Sequence, residues 1–352
     1  MAKGLILISG VNGYIAAVAA KYFLDRGHSV RGTVRKASSA QALIDGPLKS
    51  YAESGKFTVE EVPDITVEGA FDQAVKGVTA IAHLASPVSM TFTDPAPILH
   101  AAINGTKTIL NSAHQFAGPQ LKSVVVMSSI ASTRPVTEPP YTISENDWND
   151  FAEKLCEEHG TATPGPVIYS ASKAAAERAF WKFQEDKKPS WSMASVNPVF
   201  VIGPSVIPPA TPQQVAGTTL PIYSVFSGST EPFPPSQIPQ VVDVRDVAEL
   251  ILYAIEHPDK TNGERYIASS GVSNAQAFRD ILREEFSDEV SRKRIAEGEK
   301  GKGYSADYQE VEDKETAYVV DSRKARKVLE RGEWISLKKS VVDTARGFVG
   351  LV

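Results

Sequence analysis

At 352 residues the chain is long enough to bury a large core, and its length suggests roughly two lobes. A net charge of -5 leaves no basic footprint for nucleic acid, and no apolar stretch approaches the ~20 residues that span a bilayer. Met1-Ala2-Lys3 leads straight into an apolar run, leaving no room for a signal peptide, and the single cysteine, Cys156, has no partner for an internal disulfide; both fit a reducing, cytoplasmic setting. The six histidines have no metal-ligand spacing, so no metal site is expected.

The first apolar run, Leu5-Ile6-Leu7-Ile8-Ser9, is short, continuous and followed by glycine, which predicts a buried strand. Gly10-Val11-Asn12-Gly13-Tyr14-Ile15-Ala16 follows, then a helical stretch, Ala17 to Arg26. Strand, glycine turn and helix N-terminus together make a dinucleotide cradle. Gly10 permits the tight turn, Gly13 lets backbone N–H groups approach a pyrophosphate, and the helix dipole faces the charge. The spacing is G-x-x-G-x-x-A instead of G-x-G-x-x-G, and taken alone it also fits a plain tight turn.

Further strands are predicted at Ser29 to Val34, Phe57 to Val62, Thr79 to Leu84, Lys122 to Met127 and Ser192 to Val196. Helices are predicted at Val67 to Lys76, Ile98 to Phe116 and Tyr169 to Glu185, and Pro135 to Pro166 reads as less regular. Such alternation implies right-handed crossovers and an α/β fold: a Rossmann-type doubly wound parallel sheet. From Gly203 to Pro239 the chain is rich in proline and reads as a shaped loop region. Val244 to His257 reads as a helix, Arg265 to Ala268 as a strand and Asn274 to Phe286 as a helix. Arg283 to Gly303 reads as a solvated charged segment, and Ser322 to Leu329 and Leu337 to Val349 as closing helices. The expected organisation is a dinucleotide domain over 1–200, with about 241–258 returning to it. A smaller α/β substrate lobe occupies mainly 201–352, and the cleft lies at the junction.

Tyr169-Ser170-Ala171-Ser172-Lys173 places a phenol and an ammonium four apart on one helix face, and no other of the eleven tyrosines has a lysine at that offset. An ordinary exposed pair is the plain alternative. The pair follows Ser128-Ser129, which sits at a strand's carboxyl end, where open parallel sheets bind ligands. A neighbouring ammonium favours the phenolate; bringing a phenol from ~10 to near 7 represents ~4 kcal/mol. Such a phenol can give a proton to a carbonyl oxygen as hydride arrives at carbon, and a serine hydroxyl can hydrogen-bond that oxygen. The hydride must come from a nicotinamide, because no side chain supplies one. Between His28 and Lys36 there is no acid to hold ribose hydroxyls. Arg35 and Lys36 instead suit a 2′-phosphate, which points to NADPH/NADP+; two solvated basic residues are the alternative.

With these residues in place the chain resembles the extended short-chain dehydrogenase/reductases. It is most similar to the branch of dihydroflavonol reductase, cinnamoyl-CoA reductase and the fungal aldehyde/ketone (methylglyoxal-type) reductases. The resemblance runs end to end through Gly10 to Ala16, Gly32-Thr33-Val34-Arg35, Ala82 to Pro87, Ile103-Asn104-Gly105-Thr106 and Ser128-Ser129. It continues through Tyr169-x-x-x-Lys173, Asn197-Pro198-x-x-Val201-x-Gly203-Pro204 and Val242 to Ala248. It implies Ser129, Tyr169 and Lys173 as the catalytic residues, with Ser128 lining the cofactor. It implies cofactor contacts from Gly10, Asn12, Gly13, Tyr14, Ile15, Arg35, Lys36, Leu84, Ala85, Ser86, Tyr169 and Lys173. Asp64 and Ile65 would flank adenine, and Pro198, Val199 and Val201 would border the nicotinamide. Asn104 is left open between a supporting and a purely structural role. Val88, Phe92, Thr133 and Phe226 are candidates for the substrate pocket, each equally readable as core. His83 is expected to pack at its strand end without a catalytic part.

The function so implied is NADPH-dependent reduction of aldehydes or ketones to alcohols, on a small-molecule carbonyl substrate. No nucleic-acid or membrane partner is expected, and monomer and homodimer are both open. A nucleotide-sugar epimerase or dehydratase would need basic groups for a diphosphate, and Gly203 to Pro239 has no arginine or lysine. A non-catalytic NADP-sensing regulator is the remaining alternative.

Overall fold

The computed structural model describes residues 3–135, 137–215, 217–229, 240–308 and 318–352. In chain order the elements begin β1 (Leu5–Ser9), α1 (Tyr14–Asp25), β2 (Ser29–Val34), α2 (Gln41–Asp45), α3 (Lys49–Glu53), β3 (Phe57–Glu61) and β4 (Ala80–His83). Then come α4 (Pro95–Phe116), β5 (Ser123–Met127), β6 (Tyr141–Ile143), α5 (Phe151–His159), α6 (Gly165–Lys187), β7 (Ser192–Pro198) and β8 (Phe200–Ile202). The chain continues with α7 (Leu220–Phe226), β9 (Gln240–Asp243), α8 (Val244–Glu256), α9 (Pro258–Thr261), β10 (Glu264–Ala268) and β11 (Gly271–Val272). It closes with α10 (Ala275–Glu285), α11 (Glu289–Arg294), β12 (Tyr318–Val320), α12 (Arg323–Arg326) and α13 (Leu337–Arg346).

Seven parallel strands form the main sheet in the order β10-β7-β5-β4-β1-β2-β3. Alternate residues of β1 serve opposite faces: Ile6 and Ile8 join one core with α1 and α8, and Leu7 joins the other with residues of α4 and α6. The order reverses between β1 and β4, so the crevice for a ligand lies at their carboxyl ends. Ser9 staples those ends together. Its buried hydroxyl accepts the N–H groups of Leu84 and Ala85, each at 2.9 Å, and lies 2.9 Å from Nδ1 of His83. A third core joins residues of β8, α7, β9, α10 and α13 in the C-terminal part of the chain.

Several boundaries differ from the expectation for physical reasons. Residues 67–76 form successive turns, closed by i→i−3 bonds such as Asp72 N to Gly69 O at 3.0 Å and by one i→i−4 bond, Val75 N to Phe71 O, and not a helix. α6 begins at Gly165, so Tyr169 lies a turn inside it instead of opening it; Pro166 occupies the first turn, where a missing N–H costs nothing. The stretch before it contains β6 and α5. The returning segment also runs past 258, because β10 is an edge strand of the main sheet, whereas β9 pairs with β8 and β11 in a small sheet. The last helices are shorter than expected, at Arg323–Arg326 and Leu337–Arg346. The expected loop contains α7, and its residues 216 and 230–239 lie outside the described residues.

Candidate active site

The glycine turn sits at the mouth of the crevice. Gly10 has φ +67, and a Cβ there would meet Ala85 Cβ at 3.1 Å, so a side chain at this turn would crowd the segment just after β4. Val11 is buried over Gly32 of β2, where a Cβ would come within 2.4 Å of Val11 Cγ1. The Val11 N–H also donates to the Thr33 carbonyl at 3.0 Å. Asn12 and Gly13 are exposed, Tyr14 and Ile15 partly so, and no side chain caps the N-terminus of α1. Its first-turn N–H groups are therefore free of side-chain competition, as an anion cradle requires. Tyr14 is held differently from the other turn residues: its hydroxyl donates to the Gly203 carbonyl at 2.7 Å. Burial, with the nearby Asp243 carboxylate adding, raises its pKa well above the usual phenol value.

Arg35 and Lys36 are exposed at the end of β2, and among the described residues neither forms a salt bridge. Asp64 is exposed nearby, its Oδ1 accepting from Thr66 N at 2.8 Å and Thr66 Oγ1 at 2.7 Å; these bonds hold its carboxyl below the usual range. Glu61, on the adjacent strand, accepts from Ala37 N at 2.5 Å and so approaches this loop from a position that reading along β2 does not reveal.

The cleft beyond the turn is lined by Ile65, His83, Ala85, Ser86, Ser128 and Lys173, among others. Leu84 is buried in the core behind it. β5 ends at Met127 and hands Ser128 and Ser129 to a tight turn, in which Ser129 Oγ accepts from Ala131 N at 3.2 Å. Tyr169 is partly exposed; burial raises its pKa and a hydrogen bond with the Ser129 side chain lowers it. Lys173 is 4 % exposed, with Nζ 5.8 Å from the centre of the Tyr169 ring. Burial pulls its ammonium down to about 8, and the Glu177 carboxylate opposes that. Among the described residues Nζ has no hydrogen-bond or ion-pair partner within the protein. Lys173 lines the cleft, and an ammonium left without a protein partner there fits a ligand with hydroxyl acceptors.

Two expectations change here. Burial is the largest influence on the phenol and raises its pKa, with the Ser129 side chain opposing. The ammonium is the group brought toward neutrality. Ser128 lies at the cleft wall, yet its hydroxyl turns inward to Glu177 at 2.6 Å. Of the pocket candidates, Thr133 is fully buried with Oγ1 donating to Ile130 O at 2.9 Å. Phe226 is buried in the third core beneath the Arg294 guanidinium. Neither is among the residues that line the cleft described above. Val88 is exposed on the loop after β4, and Phe92 is half-buried against a small cluster around Ala152 and Ile168. Pro198, Val199 and Val201 are all buried, at the end of β7, between the two strands and in β8 respectively. Asn104 Nδ2 lies 2.8 Å from His100 Nε2, within α4. His83 is buried, and burial with the Lys173 charge holds its imidazole down at about 4.

Behind Ser129 stands a group of residues that none of the motifs above contains. Glu177, Ser132, Ser195, Asn197 and Arg265 form one buried polar group around the Glu177 carboxylate. The one signal for it was Glu177 itself, four residues beyond Lys173 on the same helix face.

The sequence profile of the NAD dependent epimerase/dehydratase family matches residues 6–268. A putative NADPH-dependent methylglyoxal reductase of Candida albicans is 30 % identical, over 98 % of this chain and 98 % of its own length. The NADPH-dependent methylglyoxal reductase of Saccharomyces cerevisiae is 30 % identical, over 97 % of this chain and 96 % of its own. The crystal structure of the yeast methylglyoxal/isovaleraldehyde reductase complexed with NADPH superposes with a TM-score of 0.83 at 28 % identity, covering 98 % of each chain. On this sequence match and this shared architecture, the chain belongs to the NAD dependent epimerase/dehydratase family, the extended short-chain dehydrogenase/reductases.

Proposed function

We infer that this chain is an NADPH-dependent carbonyl reductase, converting small aldehydes or ketones to alcohols. The observation that carries the reading is the placing of Lys173, 4 % exposed and with Nζ 5.8 Å from the Tyr169 ring, in the cleft at the carboxyl edge of the sheet, with the Ser129 side chain acting on the Tyr169 phenol. The names of its relatives support the same reaction class. NADPH, when bound, supplies hydride to the carbonyl carbon.

The protein's own residues supply the rest. The backbone of Gly10 to Ile15 would hold the pyrophosphate at the head of α1, and Arg35 and Lys36 the 2′-phosphate. Lys173 would donate to the nicotinamide ribose hydroxyls. The raised pKa of Tyr169 keeps its phenol protonated at neutral pH, which is the state a proton donor to the substrate oxygen must start from. Ser129 donates a hydrogen bond to that oxygen as charge develops on it. Ile65, Ala85 and Ser86 would wall the coenzyme, with Asp64 near adenine. Among the described residues no helix is long and apolar enough to cross a membrane, and the buried Cys156 fits the cytoplasmic setting proposed for this chain.

The test is NADPH consumption with methylglyoxal and a panel of aldehydes and ketones, run in parallel with NADH. Carbonyl-dependent oxidation of NADPH in preference to NADH is expected. No oxidation across the panel overturns the reading and favours a non-catalytic NADP-binding role.

A further inference from the structure

Glu177 is fully buried, and its carboxylate is surrounded by donors from four segments of the chain. Oε2 takes Ser132 Oγ at 2.5 Å, Ser128 Oγ at 2.6 Å and Asn197 Nδ2 at 2.8 Å. Oε1 takes Arg265 Nε at 2.8 Å, Ser195 Oγ at 2.9 Å and, within α6, Trp181 Nε1 at 3.3 Å. Arg265 is satisfied in turn by the carbonyls of Glu145 and Asp147, at 2.6 and 2.8 Å, and stacks on Trp148 with 4.1 Å to the ring centre. A buried ion pair contributes little net stability compared with apolar packing of the same volume, so stability alone does not account for this one.

Its placement offers another account. Ser128 and Ser132 bracket Ser129 in sequence. Ser132 Oγ lies 2.7 Å from the Ser129 carbonyl, and Asn197 Nδ2 lies 3.4 Å from the same oxygen. Lys173 is one helical turn before Glu177, and both line the cleft with Ser128. We propose that Glu177 is a positioning residue: its carboxylate fixes the Ser128–Ser132 turn that presents Ser129 and supplies the negative charge facing Lys173, without touching substrate. The proposal rests on the assignment of Ser129, Tyr169 and Lys173 made above. Glu177 opposes the dehydration of the Lys173 ammonium. The other ionisable groups facing this pair are Arg265 from β10, Tyr169 from α6 and His83 from β4, the last neutral above about 4.

Glu177→Gln keeps the shape and removes the charge. The alkaline limb of kcat against pH is expected to move to lower pH by about one unit, since a buried cation that loses its neighbouring anion gives up its proton sooner. A purely structural glutamate predicts a limb at unchanged pH, with turnover lowered uniformly or not at all; that result overturns the proposal. If Glu177→Gln does not fold, Ser132→Ala decides, because it keeps the Glu177–Arg265 pair and removes one tie to the turn. It is expected to lower kcat about tenfold through misplacement of Ser129, with the KM for NADPH unchanged; unchanged kcat overturns the proposal. Tyr169→Phe is assayed alongside. Turnover retained there overturns the site assignment itself, whereas turnover lost there with an unmoved limb in Glu177→Gln overturns this proposal alone.

Discussion

The hydroxyl of Tyr14, in the first turn of α1, donates to the carbonyl of Gly203 just beyond β8, at 2.7 Å. Gly203 N–H in turn donates to Thr344 Oγ1 of α13 at 3.0 Å, so the head of the proposed coenzyme cradle is tied to the last long helix. Tyr14→Phe leaves a carbonyl unpaired in this junction. It should lower unfolding free energy by about 1–3 kcal/mol in denaturant titration. NADPH affinity should stay close to the parent value, because the side chain is committed to Gly203 and only the Tyr14 backbone faces the anion.

Tyr169→Phe should lower kcat by about 10²–10⁴-fold, the usual range for a lost general acid. NADPH titration by fluorescence should show nearly unchanged binding. Equal losses in both would mean that the ring, and not the proton, is what the site needs.

Arg35→Ala should weaken NADPH by about 1.5–3 kcal/mol, the worth of a hydrogen bond to a charged group, and leave NADH nearly untouched. Competition between the two coenzymes measures this directly. An unchanged preference would remove Arg35 from the 2′-phosphate and leave it as a solvated side chain.

Lys173 gives a pH signature in stability. Its folded-state pKa is about 8 against 10.5 for a free lysine, so the native protein bears the full dehydration penalty below pH 8, where both states carry the proton. Between these values the native state has released a proton that the unfolded chain still holds, and stability rises with pH. The gap corresponds to about 3 kcal/mol. Lys173→Met should therefore unfold at higher denaturant than the parent at pH 7, and this advantage should close as the pH approaches 10.5. A difference that does not vary with pH would show that the lysine is not dehydrated in solution.

Gly32→Ala places a methyl where Val11 already sits. The expected loss is about 1–3 kcal/mol, as for other overpacked cores, together with weaker NADPH binding because the turn is pushed off β2. Val11→Ala in the same chain should restore most of both. Thermal unfolding and coenzyme titration of the single and double variants form the cycle that measures this coupling.

The parallel sheet and the glycine turn are legible because they are written locally, in short apolar runs and in glycines placed directly after the first of them. The start of α6 was hidden by Pro166, which reads as loop although the first helical turn tolerates it. Glu177 was hidden because a glutamate in a helix reads as solvated surface, and its partners Ser132, Ser195, Asn197 and Arg265 come from distant strands and turns. The upward direction of the Tyr169 shift is not legible for the same reason: the offset to Lys173 is visible in sequence, but burial, the largest influence on the phenol, is not. Phe226 and Thr133 showed only that they were apolar or small, which does not distinguish a wall from a core.

The edge strand β10 arrives late, after α7, β9 and α8 have been laid down, yet it pairs with β7 along Glu264 to Ala268 and carries the arginine that neutralises Glu177. A ribosome that has delivered only the first two hundred residues has therefore made a sheet with an open margin and an α1 not yet covered by Val247, Leu250 and Ile251. Such a nascent chain would present a bare strand edge and a buried anion without its counter-ion. A product truncated near residue 200 should accumulate as aggregate and not as a smaller enzyme.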